Sequence, residues 1–95
     1  MNIEPFEFLP TDLPNDSEKE AAILEAIRNR VVDMLEKQPD LLFSYMYRLD
    51  VEEWRIKKAL KESAETPDLT LSKLIWERQK QRLATRQAYK EGRHL

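Results

Sequence analysis

Residues 66–91, TPDLTLSKLIWERQKQRLATRQAYKE, decide the fold. Pro67 is the only proline in this stretch, and it stands where a first helical turn tolerates it, because the missing N–H would have no intrahelical partner there. Thr66 can cap that turn, and Asp68 lies near the positive end of the helix dipole. Gly92 is a natural stop. The spacing therefore predicts one long helix. Within it Arg78, Arg82 and Arg86 follow Leu74 at four-residue intervals, which makes a row that begins apolar and turns cationic. Such a row can grip a carboxylate, a phosphate or a partner. Leu71, Leu74, Ile75 and Tyr89 mark one apolar face, whereas Leu69, Trp76 and Leu83 recur every seven residues on nearly the other side.

N-terminal to this helix, residues 40–64 carry two conflicting signals. As one helix, Leu42, Tyr45, Leu49, Ile56, Ala59 and Leu60 share a face. Yet Asp50 and Glu53 have capping-box spacing, and Glu52 with Glu53 interrupts the apolar face where a new first turn favours acids. The expectation is a helical arm with a joint near Asp50. A second stripe, Phe43, Tyr47 and Trp54, projects opposite the first if the helix is continuous. It needs a cover of its own, either the N-terminal segment or a second copy of the chain.

A further helix is expected from Ser17, where Ser17 and Glu20 have the spacing of a capping box, to Pro39, which ends it. Ile23, Leu24, Ile27, Val31, Met34 and Leu35 fall within about 120° at 100° per residue, leaving Glu25, Asp33 and Glu36 to water. Residues 1–16 contain Pro5, Pro10 and Pro14 among Phe6, Phe8, Leu9 and Leu13, which blocks a regular helix. They read as an extended acidic arm that lies on the helices. The whole reads as an all-α chain, with that arm at residues 1–16 and one helical domain at 17–95. Its helices form a small antiparallel bundle of three long helices, or four if the middle one breaks near Asp50. The expected core runs through Ile27, Val31, Leu35, Leu49, Ile56, Leu60, Leu74 and Ile75.

Composition narrows the classes of function. Of 95 residues, 41% are hydrophobic and 36% charged, enough apolar content to fold, and the single glycine argues against sheet turns. With no cysteine there are no disulfides or thiolate metal sites, which fits a reducing compartment. No apolar run approaches a membrane span, and the opening Met1-Asn2-Ile3-Glu4-Pro5 lacks the regions of a signal peptide. A cytoplasmic location is expected. One glycine also leaves no room for a phosphate loop or dinucleotide fingerprint, and the lone histidine, His94, is next to the last residue of the sequence.

The net charge of −2 conceals opposed ends: from Lys73 onward seven basic residues face two acids, while the first 20 residues hold six acids and one lysine. Such ends attract each other, within a chain or between chains. Arg78 and Arg82 point beside the core face, so acids or carbonyls must meet them, with Glu52, Glu53, Asp50 and Asp33 as candidates for an Arg–carboxylate network. Repeated two-sidedness in a short chain suggests a homodimer, with Phe43, Tyr47, Trp54, Leu69, Trp76 and Leu83 as its interface. The expected function is a non-enzymatic interaction or structural module without a cofactor or metal. Two alternatives stand beside it. One is nucleic-acid binding through the basic helix, against which the total charge and the absence of a zinc or RNA-binding aromatic motif speak. The other is a Mg²⁺-dependent phosphate-ester hydrolase using Asp33 with Glu36 and Asp50 with Glu53, spacings that faintly resemble those of the all-α nucleotide pyrophosphohydrolases.

Overall fold

A computed structural model of the chain describes residues 6–62 and 64–90. They form four helices: α1 Ser17–Lys37, α2 Pro39–Arg48, α3 Glu53–Glu62 and α4 Pro67–Lys90. The middle arm is thus broken, and the four-helix form of the expectation is the one adopted. Pro5, Gly92 and His94 lie outside the described residues.

The ends of these helices follow from local chemistry. Asp16, rather than Ser17, caps α1: its backbone is extended and its carboxylate accepts the Lys19 N–H at 2.7 Å. Glu20 is therefore released from the expected capping box and serves elsewhere. A single residue, Gln38, separates α1 from α2. Proline disfavours helical geometry in the residue before it, so Gln38 leaves the helical region (φ −144°, ψ 59°) while its N–H still donates back to the Met34 carbonyl at 2.7 Å. Pro39 then occupies the first turn of α2, where no N–H is needed. One proline ends one helix and starts the next.

The joint near Asp50 is a Schellman motif built without glycine. Val51 N–H reaches back to the Met46 carbonyl and Asp50 N–H to the Tyr47 carbonyl, both at 3.0 Å. Asp50 takes the left-handed conformation this requires, with φ 65°, which aspartate tolerates better than most side chains. Val51 and Met46, the apolar pair that accompanies such a motif, are both buried. Asp50 therefore closes α2 instead of capping α3, and the Glu52 carbonyl accepts the Arg55 and Ile56 N–H groups as α3 begins.

One continuous core joins the four helices. Ile27, Val31 and Met34 of α1 meet Leu42 and Met46 of α2, Ile56 and Ala59 of α3, and Leu71, Ile75 and Trp76 of α4. Full burial of one such side chain contributes about 1.5–3 kcal/mol. Helix α4 packs on both α1 and α3, while α1 also packs on α2. Of the expected core, Ile27, Val31, Leu49, Ile56 and Ile75 are buried, and Leu35 and Leu74 pack at its edge. Leu60 is instead 44% exposed. Once α3 is separated from α2, its inward face is centred on Ile56 and Ala59, and Leu60 lies 100° past Ala59.

The N-terminal segment is irregular, and it turns rather than extends at residues 6–9, where Leu9 N–H donates to the Phe6 carbonyl at 3.1 Å. Phe6 is buried, with its ring 4.8 Å from that of Tyr45 between centroids.

Candidate interaction surfaces

Three polar clasps hold α4 in place, and they show which of its side chains remain available. At the first, both the Trp76 indole N–H and the Lys80 ammonium donate to one carboxylate oxygen of Glu20, each at 2.8 Å. The Lys80 hydrogen bond, and after it that of Trp76, holds the Glu20 carboxyl below its ordinary value against the opposing effect of desolvation. At the second clasp, Arg28 Nε donates to Asp68 at 2.7 Å, an ion pair that lowers the carboxyl and raises the guanidinium. The early turn of α1 thus meets the middle of α4, and the middle of α1 meets its start. These two helices run in opposite senses.

The third clasp is Arg78. Its Nε donates to the Leu49 carbonyl at 2.8 Å, one Nη donates to Gln81 at 3.1 Å, and the other lies 3.6 Å from Asp50. Arg78 therefore satisfies a carbonyl that the end of α2 leaves open. The expected partners Glu52 and Glu53 are engaged elsewhere: Glu52 pairs with Arg55 at 3.2 Å, and Glu53 with Lys57 at 3.1 Å. Of the expected acids Asp50 is the one near Arg78, beside the Leu49 carbonyl, where the left-handed turn at Asp50 closes α2. Arg82 is exposed, and no carboxylate among the described residues pairs with it.

The expected interface residues separate in the same way. Trp76 and Leu83, 3% and 2% exposed, are buried within the chain itself, so neither is available to a second copy. The inward face of α4 is broader than either expected stripe and takes in Leu71, Ser72, Ile75, Trp76 and Leu83 together. Phe43 is half-buried against the core, and Leu69 is half-buried. Tyr47 and Trp54 remain outside, 50% and 57% exposed.

Trp54 is exposed yet held. Its indole N–H donates to Glu52 at 2.8 Å, and the Arg55 guanidinium lies over its ring at 5.2 Å. It stands at an open groove of about 340 Å³ between α3 and α4, which Ala59, Ala64 and Leu74 also line. Arg55 and Lys58 supply cations along α3, and Glu62 at its end and Glu65 beyond it supply acids.

The paired acids at three-residue spacing do not converge. Asp33 is bound to Lys37 at 2.9 Å and to Arg30 at 3.3 Å, contacts that lower its carboxyl, with the Lys37 hydrogen bond as the largest cause. Among the described residues no group of three or more acidic or histidine side chains is placed to hold a metal ion. Nor is any described helix long and apolar enough to cross a membrane. The Glu20 and Asp68 clasps escaped sequence reading, since each joins positions 40 or more residues apart; the opposed charge of the two ends pointed toward the first, and nothing pointed toward the second, in which the cation is on α1 and the acid on α4. No family model matches the chain, and no curated protein or solved structure is significantly similar to it.

Proposed function

We propose that the chain is a non-enzymatic interaction module that self-associates as a homodimer through the groove beside Trp54. The observation that carries this reading is the indole itself: a large aromatic surface exposed to water but fixed by Glu52 and Arg55, so little side-chain freedom is lost when it is covered. The rim supports a second copy as the cover. Cations at one end and acids at the other make the groove self-complementary under a two-fold axis, which sets Lys58 of one chain near Glu62 of its partner.

Sedimentation equilibrium at micromolar concentration should return twice the 11.3 kDa chain mass, and Trp54→Glu should return the single mass. The variant should remain folded, because Trp54 lies outside the core, and its melting temperature should fall only by the stabilisation that dimer formation lends wild type. A monomeric mass for the unmodified chain would sink self-association. A rise in melting temperature on adding Mg²⁺ would favour the hydrolase reading instead. For the nucleic-acid reading, half of the six cations of α4 are already used: Lys73 on Glu65, Arg78 on Leu49 and Asp50, and Lys80 on Glu20.

A further inference from the structure

The inward stripe of α4 changes chemistry along its length. At 100° per residue, Leu71, Ile75, Arg82 and Arg86 fall within about 60° of one another. The first two are wholly buried, whereas the last two are exposed. Both arginines line two adjoining grooves. One, of about 320 Å³, also has Arg78 and Thr85 in its wall; the other, of about 240 Å³, is bounded by Leu9, Pro10 and Tyr45, with Glu7 at its edge.

Every other described arginine has a use in the fold. Arg28, Arg30, Arg55 and Arg78 meet carboxylates, and Arg48 lies over the Tyr45 ring at 6.0 Å. Arg82 and Arg86 have no ion-pair partner among the described residues, and Glu7 lines their groove without pairing with either. Like charges four residues apart on a helix repel, so this pair costs the isolated fold stability that an anion lying between them would restore.

We propose that Arg82 and Arg86 form a binding site for a short acidic peptide segment of a protein partner, with an apolar residue beside its carboxylate. Two guanidinium forks at this spacing suit two carboxylates, each accepting paired N–H donors. Leu9, Pro10 and the Tyr45 ring provide an apolar wall for the neighbouring side chain. A polyanion fits less well. Glu7 and the acidic N-terminal segment repel it, the net charge is −2, and the few unpaired cations release few counterions. The site shares no residue with the Trp54 groove, so it stands or falls independently of self-association.

The test is an anisotropy titration of the full chain with a labelled peptide that alternates glutamate and leucine. Wild type should bind it in low salt and lose affinity as salt is raised. The double variant Arg82→Gln/Arg86→Gln should bind at least about tenfold more weakly while melting at or above the wild-type temperature. Glu7→Gln should bind more tightly, and Trp54→Glu should bind like wild type. Absence of binding by wild type, or equal affinity in the double variant, would overturn the proposal. Displacement of the peptide by mixed-sequence nucleic acid at lower concentration would also overturn it and assign the face to nucleic acid.

Discussion

At the scale of single residues, Asp50 carries more of the fold than its exposed side chain suggests. It holds the left-handed conformation that closes α2, a position that favours glycine because a Cβ is crowded there. In this chain the only glycine is Gly92. That is why the joint was legible in sequence only as a doubtful capping signal: the acids near residue 50 were visible, but the residue that usually announces a helix stop was missing. Asp50→Gly should relieve the crowding and raise stability by about 0.5–1 kcal/mol. The ion pair it removes is long, at 3.6 Å, and Asp50 is exposed, so its loss offsets little. Urea or thermal melts of the variant against wild type measure the gain. A clear fall in stability would mean that the Asp50 carboxylate, not its backbone, is what the joint needs.

Among the elements, α1 and α4 were the most legible, because long stretches with consistent apolar spacing and strong end signals leave few alternatives. The prolines at 39 and 67 each stand in a first helical turn, and Ile27, Val31 and Ile75 are buried as their spacing implies. The short elements were less legible. Ten residues of α3 make fewer than three turns, and whether Leu60 faces in or out depends on where the helix starts, which a tertiary contact helps to set. That contact is Arg78, donating across from α4 to the Leu49 carbonyl between α2 and α3. Arg78→Met removes the donor and leaves a carbonyl at the joint without it, so stability should fall by about 1 kcal/mol, with exposure to water limiting the loss. Hydrogen exchange should then show faster opening of the Asp50 and Val51 amides than of those in α1. Uniform exchange throughout the chain would show that Arg78 does not hold the joint.

For the whole molecule, the pairing of α1 with α4 couples the fold to pH. Glu20 and Asp68 sit at two levels of that contact, and both carboxyls are held below their ordinary values, Glu20 chiefly by the hydrogen bond from Lys80 and Asp68 chiefly by that from Arg28. A carboxyl that is more acidic folded than unfolded adds stability above its unfolded value, and that stability disappears as pH falls through the lower folded value. Wild type should therefore be near its full stability at pH 7 and lose it progressively below about pH 4.5. Glu20→Gln can still accept from Trp76 and Lys80 but cannot carry the charge. The variant should melt below wild type at neutral pH, and the gap should narrow as both are taken downward through the lowered folded value of Glu20, where wild type also loses that charge. Thermal melts of both proteins across this range provide the measurement. A gap of constant size would indicate that Glu20 acts through shape and neutral hydrogen bonding alone, and that the acidic beginning of the chain is not held to its basic end by charge.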